Sequence, residues 1–299
     1  YFQEHKTNKN IQPPTFKSRR HYKSFTLKQH GAGYQFLPDL NQVRIGKKNY
    51  KFIKHRQLEG DIKTLTIKKD SLGDWWLIVA CDIKRSSPII KACPGKTEGF
   101  DFGFKTFLIN SSGTEYQSPL FFKQNIKQIK KLNRILSLKT KGSKSRARAK
   151  RQLALAHRNI GNRRFDFHFK LALKLCREFD VLCFESLDIE SMKQEYGRKV
   201  SDLSFSNFVS IQKHMANKHG KECVLVDRWE PTTKTCSACL HVLDELSLDK
   251  RAWVCPSCGV EHHRDVNAAQ NILRIGASMR NSQSNRSTVS KRRSAAPAS

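Results

Sequence analysis

Four cysteines in two closely spaced pairs are the feature that most constrains how this chain folds. Cys236 and Cys239 form one C-x-x-C pair, Cys255 and Cys258 form the second, and 15 residues separate the two pairs. This spacing is typical of a structural Zn²⁺ site in which each pair offers two thiolates to one tetrahedral ion. Because all four positions are thiolates, no coordination position stays open for chemistry. We therefore predict a zinc ribbon whose ion is structural.

Charge is the second strong constraint on the class of protein. The 299 residues contain 56 Lys and Arg against 26 Asp and Glu, which gives a formal net charge of +30. Such a surplus destabilises a compact chain by self-repulsion unless a polyanion screens it. Nucleic acid is the expected partner. An anionic membrane surface is the weaker alternative, because no basic amphipathic helix with an aromatic face is evident.

Composition also bears on where the protein works. The longest apolar run, residues 75–81, is far shorter than the ~20 residues that a membrane-spanning helix needs. Nine cysteines are an odd number, and four of them are spaced for metal, so a reducing compartment is favoured over a secreted disulfide scaffold. We expect a protein of a reducing cytosol or of a nucleus.

Much of the positive charge is concentrated in one stretch of the chain. No acid occurs between Glu115 and Asp166, whereas 15 Lys and Arg lie between Lys123 and Arg164. Apolar residues at helical spacing predict one amphipathic helix before residues 141–143 and a second helix from about Ser145 into residues 169–175. A solvated helical face usually mixes both signs, so we predict contact with a nucleic-acid backbone. The candidate contacts are Arg146, Arg148, Lys150, Arg151, Arg158, Arg163 and Arg164.

The N-terminal part of the chain reads as β structure. Short segments rich in β-branched and aromatic residues alternate with turn residues, a pattern typical of a small barrel or sandwich. The predicted strands lie at residues 42–45, 50–53, 64–67 and 75–80.

Three acids stand out by their surroundings. Asp101 lies among aromatic residues in a strand-like run, Glu185 ends a second apolar strand, and Asp265 lies at the start of a helix running towards Ile275. Taken singly, they read as a salt-bridge partner, a strand-end surface acid and a helix N-cap. Taken together they fit a divalent metal site, because Mg²⁺ prefers carboxylate oxygen and tolerates few protein ligands.

The other cysteines and a histidine pair have ordinary interpretations. We expect Cys81, Cys93, Cys176, Cys183 and Cys223 to behave as small buried apolar residues rather than catalytic thiols. We expect the adjacent pair of His262 and His263 to lie close behind the metal ligands or on the surface of the ribbon.

At these residues the chain resembles a known family, TnpB (OrfB), the proteins encoded by small bacterial insertion sequences and related to type V CRISPR effectors and the eukaryotic Fanzor proteins. Three segments resemble the acidic motifs of a RuvC-like nuclease, and the zinc ribbon falls between the second and third. The matching segments are Gly99-Phe-Asp101-Phe-Gly103, Glu185-Ser-Leu187, Asn162-Arg163-Arg164-x-Asp166-x-x-x-Lys170, Lys234-Thr-Cys236-Ser-x-Cys239 and Arg264-Asp265-x-Asn267-Ala-Ala-x-Asn271.

The resemblance implies an α/β fold: an RNase H-like RuvC nuclease domain with an inserted zinc ribbon and a basic helical hairpin, preceded by a β-barrel wedge domain. It implies RNA-guided cleavage of double-stranded DNA, with Asp101, Glu185 and Asp265 as Mg²⁺ ligands. The expected chemistry is two-metal phosphodiester hydrolysis, with Asp101 bridging the two ions early on the central strand. The basic helices would contact guide RNA or the RNA–DNA heteroduplex through its phosphates.

The same resemblance predicts how the chain divides. The expected parts are a wedge-like domain at 1–95, RuvC segments at 96–122, 170–229 and 261–279, a basic helical insertion at 123–169, a zinc ribbon at 230–260 and a disordered basic tail at 280–299. The family normally carries a first barrel strand and a helical recognition module ahead of the segment that begins at Pro13, so we expect that module to be missing from this sequence.

Two alternatives remain open at this stage. One is a regulator of the same family that binds guide RNA or DNA without cutting, a reading that the missing module favours and the three acids oppose. The other is a transposase that transfers DNA strands, which is weaker because no nucleophilic tyrosine with a spaced histidine pair is visible. The guide RNA, the target-adjacent motif, the host and the oligomeric state are not readable from the sequence.

Overall fold

The structure is a computed structural model in which the chain forms two compact units, residues 1–86 and 87–299. The described residues are 2–13, 15, 22–37, 41–83, 95–247 and 250–294. The predicted boundary at residue 95 lies just after residues 84–94, which fall outside the described part of the chain, as does Cys93.

The N-terminal unit contains a short helix followed by six strands. The elements are α1 (Phe2–Thr7), β1 (Ser24–Leu27), β2 (Tyr34–Phe36), β3 (Gln42–Ile45), β4 (Lys48–Lys51), β5 (Asp61–Lys69) and β6 (Trp75–Asp82). Three of the predicted strands are confirmed. The strand expected at 50–53 begins earlier, at Lys48, because the turn before it is tighter than predicted and has Gly46 at a φ of 58°.

The six strands form two separate three-stranded sheets, ordered β1-β5-β6 and β2-β3-β4. Both sheets contribute to one core built on Tyr34, Phe36, Val43 and Leu65. No hydrogen-bonded ladder joins the two sheets among the described residues, so the strands there do not close into a barrel.

The second unit is built on a five-stranded mixed sheet. Its strands are β7 (Thr97–Phe102), β8 (Leu108–Asn110), β9 (Glu115–Tyr116), β10 (Val181–Glu185) and β11 (Glu222–Val226). Their order in the sheet is β11-β10-β7-β8-β9, with β7, β10 and β11 parallel and the β7-β8-β9 pairs antiparallel. The carboxyl ends of the three parallel strands therefore meet at one edge of the sheet.

Helices cover both faces of this sheet, and the small ribbon precedes the last one. The remaining elements are α2 (Phe121–Ser137), α3 (Lys144–Glu178), α4 (Ile189–Leu203), α5 (Phe205–Lys218), β12 (Ala252–Val254), β13 (Glu261–His263) and α6 (Arg264–Ser294). Strand β12, which leads into the second cysteine pair, pairs with β13. Among the described residues, no helix is both long and apolar enough to cross a membrane.

Successive side chains along a strand point to opposite faces of the sheet, and each face is covered by different helices. Phe100 and Phe184 point to the face covered by α3 and α5, whereas Cys183 points to the face covered by α6. Helix α6 approaches the sheet closely at Gly99, where an added Cβ would collide with the Ala269 carbonyl oxygen. Because Asp101 and Glu185 follow Gly99 and Cys183 by two positions, both acids lie on the α6 face.

The basic helices form a hairpin, as predicted. Helices α2 and α3 pack on a small core of Phe121, Ile129, Ala156 and Ile160. The turn between them has Gly142 at a φ of 86°, and the Ser143 hydroxyl caps α3 by accepting from the Arg146 backbone N–H at 3.1 Å. The predicted helix break at residues 141–143 is thereby confirmed.

Helix α6 is longer than expected. It extends to Ser294 and so enters the segment for which composition predicts a disordered basic tail, an assignment that stays a prediction. Residues 280–294 lack large apolar side chains, but they also include no Gly or Pro. A helix already anchored by packed residues needs only one backbone hydrogen bond for each added residue, so it can continue into such a segment.

The expectation that the remaining cysteines are inert fits the structure for those described. Cys176 and Cys183 are buried, and Cys81 and Cys223 are partly buried. Burial raises the pKa of both the Cys183 and Cys223 thiols to about 12, which disfavours the nucleophilic thiolate.

Candidate metal centres

The four predicted zinc ligands come together. All four sulfur atoms lie within 4.8 Å of one another, with Cys236 Sγ 3.7 Å from Cys258 Sγ and Cys239 Sγ 3.6 Å from Cys255 Sγ. Four thiolates around a tetrahedral ion with bonds of ~2.3 Å lie about 3.8 Å apart. The quartet therefore fits a zinc ion in both ligand type and spacing.

His262 supports this cluster from behind. It is buried in β13, its ring lies 4.7 Å from that of Trp253 on β12, and its Nε2 lies 3.0 Å from Cys236 Sγ. A ring N–H at this distance can donate to a thiolate ligand and orient it. His263 is exposed. His262 thus lies behind a metal ligand and His263 lies on the surface, so each of the two predicted positions is occupied by one histidine.

Two asparagines connect the ribbon to the start of α6. Asn267 Oδ1 accepts from the Ser237 backbone N–H at 2.9 Å, and its Nδ2 donates to the Thr235 carbonyl at 2.7 Å. Asn271 Nδ2 donates to the Thr232 and Thr235 carbonyls at 2.8 and 2.7 Å. Both side chains are buried, so they fix the cysteine-bearing turn relative to the helix that carries Asp265.

The three candidate acids converge on the carboxyl edge of the parallel strands. Asp101 is the fifth residue of the central strand β7, Glu185 ends β10 beside it, and Asp265 lies in the first turn of α6. The expectation that Asp101 lies early on its strand is therefore wrong, although the strand is central. Its late position is what brings it to the edge where Glu185 ends.

The electrostatics of the site show that the three carboxyl groups interact. Burial raises the pKa of Asp101 well above its ordinary value, and the negative charges of Glu185 and Asp265 raise it further. Burial also raises the pKa of Glu185, which the Thr232 hydroxyl partly offsets by donating to Glu185 Oε2 at 3.2 Å. The surroundings of Asp101 and Glu185 therefore oppose the ionised form of both carboxyl groups.

One arginine reaches into this site from the ribbon side. Arg251 Nη1 donates to both carboxylate oxygens of Asp265, at 2.8 and 2.7 Å. A carboxylate offers about four lone-pair positions, so this contact leaves acceptor capacity on each oxygen. Asp265 is therefore positioned by Arg251 rather than used as the N-cap that its place in the sequence also allowed.

The spacing of the acids differs from that of the cysteines. Within the described part of the chain, the cysteine quartet is the group whose candidate ligand atoms all lie within 4.8 Å, and the three acids form no such cluster. Two-metal sites hold their ions ≈3.5–4 Å apart, so acids that each bind a different ion need not touch one another. The carboxylate oxygens of these acids are hard ligands of the kind that Mg²⁺ prefers, and the negative charges of Glu185 and Asp265 next to Asp101 favour a cation there.

The predicted nucleic-acid contacts divide into two groups. Arg148, Lys150, Arg151 and Arg163 are exposed, whereas Arg146, Arg158 and Arg164 are only partly exposed. Arg146 Nη1 donates to the Leu136 and Lys139 carbonyls, both at 2.9 Å, and so closes the hairpin turn.

Arg164 takes part in a buried junction that the sequence did not reveal. Its Nη2 donates to Asp202 Oδ1 at 3.1 Å, and the Asp202 carboxylate also accepts from the backbone N–H groups of Phe122 and Lys123 at 2.8 and 3.0 Å. Asp202 thus caps α2 from a helix 80 residues further along the chain. Thr232 and Arg251 were likewise missed, because ordinary residue types give no local signal of a distant partner.

Two family models match two consecutive segments of the chain. Residues 81–195 match the OrfB_IS605 family, described as "Probable transposase", and residues 205–272 match the family described as "Cas12f1-like, TNB domain". Together these segments include Asp101, Glu185, Asp265 and all four ribbon cysteines.

Curated relatives and a solved structure are also similar to this chain. A Streptomyces pristinaespiralis protein named "Putative RNA-guided DNA endonuclease" is 33% identical over 71% of this chain and 52% of its own length. "TnpB-like protein L79" of Acanthamoeba polyphaga mimivirus is 34% identical over 72% of this chain and 43% of its own length. A solved structure described as "Cryo-EM structure of CRISPR-Cas12f Ternary Complex" has a TM-score of 0.45 and 19% identity, over 71% of this chain and 45% of that chain.

The chain thus spans about half the length of these curated relatives. Two matching family models and relatives from a bacterium and a giant virus agree with the motifs at the two candidate metal centres, and over these segments the chain is similar to the TnpB (OrfB) family.

Proposed function

We propose that the chain is the catalytic part of an RNA-guided, Mg²⁺-dependent DNA endonuclease. The observation that carries the proposal is the meeting of Asp101, Glu185 and Asp265, from three separate segments, at one edge of the sheet, where the charges of the other two acids raise the pKa of Asp101. The curated relative named as an RNA-guided DNA endonuclease supports the RNA guide and the DNA substrate. The mixed sheet, with helices on both faces, supports the RNase H-like assignment of a RuvC domain.

In this proposal Asp101, Glu185 and Asp265 would hold the two Mg²⁺ ions. Bound ions at such a site lower the pKa of an attacking water and stabilise the leaving 3′-oxygen. The protein's own contribution is to hold the carboxylates: Thr232 orients Glu185, and Arg251 orients Asp265. The ribbon holds a structural zinc ion and, through Asn267 and Asn271, fixes the start of α6.

The helical hairpin is proposed to contact the guide RNA or its heteroduplex with the DNA. The exposed residues Arg148, Lys150, Arg151 and Arg163 are the stronger candidates, because their charges face solvent. Arg146 and Arg164 support the proposal indirectly, by shaping and anchoring the hairpin that carries them. Phosphate contacts of this kind read the shape of an A-form helix rather than its sequence.

The test replaces each acid by its amide in protein purified with its bound RNA. Asp101→Asn, Glu185→Gln and Asp265→Asn should each abolish cleavage of a matching DNA duplex in Mg²⁺ while leaving RNA binding close to wild type. The control is Asp166→Asn, which removes an exposed acid paired with Lys170 at 2.7 Å on α3. It should cut at the wild-type rate.

The outcomes separate this function from its alternative. Cleavage by Asp101→Asn at the wild-type rate would overturn the three-acid site. A wild-type chain that binds RNA and matching DNA but never cuts would favour the non-cutting regulator. RNA recovered with the protein would identify the guide, and its 3′ end would name the target.

A further inference from the structure

A tryptophan stands in solvent just beyond the strand next to Glu185. Trp229 lies three residues after the end of β11, and 79% of its side chain is exposed. Tryptophan is highly buried on average, since its large ring gains more than most side chains from leaving water. An exposed tryptophan ring at this position therefore suggests a surface that another molecule covers.

The segment that carries Trp229 is held firmly. The Trp229 backbone N–H donates to Asp227 Oδ1 at 3.1 Å, which forms a tight turn directly after the strand. The Arg228 guanidinium lies 4.8 Å from the centre of the Trp229 ring, and Arg228 Nη1 pairs with Asp188 Oδ2 at 3.0 Å. The ring is thus braced by a cation that is itself anchored at the start of α4.

Both ends of this segment are tied to Glu185. Before it, Val226 on β11 is the cross-strand partner of Glu185, and its carbonyl accepts from the Ser186 N–H at 2.9 Å. After it, the Thr232 hydroxyl donates to the Glu185 carboxylate. Three residues of chain reach at most roughly 10 Å, so Trp229 lies within that distance of Val226. Trp229 therefore lies on the loop that leaves the carboxyl edge of the sheet, between two residues that contact Glu185.

We propose that Trp229, braced by Arg228, stacks on an unpaired base of the DNA strand that is presented to the three acids. This inference rests on the proposed function. Aromatic rings and arginine planes stack on bases of any sequence, whereas bases inside a duplex are already stacked and paired. The net charge of +30 also favours a polyanion over an apolar protein partner as the occupant. The cut strand would thus be held single-stranded at the acid site.

A crosslink tests the contact without relying on cleavage. The RNA-bound protein carrying Asp101→Asn is mixed with a matching DNA target that contains single 5-iododeoxyuridine residues on either side of the expected cut, and then irradiated. We expect a crosslink at Trp229 from one of these positions, identified by mass spectrometry. It should disappear in Trp229→Leu and be unaffected by Trp75→Leu. Trp75 is the matched control, because it is 64% exposed with Lys69 over its ring in the N-terminal unit.

Kinetics in the otherwise wild-type chain provide the second measurement. Trp229→Leu should weaken cleavage at low target concentration about tenfold, the effect expected for one lost base–aromatic stack, and Trp229→Phe should restore most of it. Wild-type cleavage by Trp229→Leu, or crosslinks that fall only on other residues, would overturn the inference. Failure of the proposed function would appear separately, as Asp101→Asn cutting normally or the wild type not cutting at all, and the crosslink would still decide the role of Trp229.

Discussion

Two carboxylates in the same unit, Asp202 and Asp101, are surrounded in opposite ways. Asp202 is 4% exposed and accepts from two backbone N–H groups and from Arg164, so its charge is fully used within the protein. Asp101 faces two further negative charges, and the opposing influences are the Phe102 backbone N–H and the charge of Arg264. The Asp202 carboxylate joins Arg164 to the start of α2, and the Asp101 carboxylate is one that we propose binds a cation.

The difference shows how to tell a structural acid from a functional one. A buried carboxylate normally keeps its charge only where hydrogen bonds or opposite charges stabilise it. Asp202 satisfies this rule, and Asp101 does not. Acids with a strongly perturbed pKa at the edge of a sheet therefore indicate a functional site, whereas buried acids whose hydrogen bonds are satisfied indicate a structural contact.

The largest effect on stability is expected where Asp202 contacts Arg164 and the start of α2. Asp202→Ala leaves Arg164 and the start of α2 without their acceptor, and breaking a buried pair in this way typically costs about 3–5 kcal/mol. Chemical denaturation should show a lower midpoint, and hydrogen exchange should increase first at residues 121–124. The control is Asp166→Asn, whose exposed pair with Lys170 is worth about 0–1 kcal/mol. Equal stability of the two variants would contradict the comparison.

At Asp101 the expected change has the opposite sign. Asp101→Asn removes a charge that burial and two neighbouring acids disfavour, so it should stabilise the protein without added Mg²⁺ by about 0.5–2 kcal/mol. Added Mg²⁺ should then raise the melting temperature of the wild type more than that of the variant, because the wild type binds the ion better. A destabilised Asp101→Asn chain that still responds to Mg²⁺ would show that the carboxylate is structural.

The smallest effect concerns the hairpin that the Asp202 contact anchors. Replacing the exposed Arg148 and Arg151 by Gln should lower the log–log slope of RNA affinity against salt by about 0.7–0.9 for each lost phosphate contact, with little change in stability. Arg164→Gln should do the reverse, lowering stability through Asp202. An unchanged slope in the Arg148 and Arg151 variants would remove this face of α3 from the interface.

Local patterns in the sequence predicted individual strands, helices and ligand groups. Contacts between residues distant in the sequence determine how these elements are fixed relative to one another. The cysteine spacing, the strand that ends at Glu185 and the period of α2 depend on neighbours in sequence, so they were readable. Asp202 accepts from Phe122 at the start of α2, 80 positions earlier, and Glu185 accepts from Thr232, 47 positions later. No local sequence pattern indicates either hydrogen bond. The extension of α6 was missed because composition reports missing apolar burial and not helix continuity.

The asparagine bonds between the ribbon and α6 have a chemical consequence for a protein of this kind. Cys239 and Cys258 are exposed, so their thiolates are open to oxidants and to chelators that compete for zinc. Loss of the ion would release the turn that Asn267 and Asn271 hold, and with it the first turn of α6, where Asp265 lies. If the chain performs the proposed cleavage with zinc in its ribbon, cutting would then stop although the three acids were intact, and adding Mg²⁺ alone would not restore it. In that case the thiol redox state of the cell would control the proposed acid site.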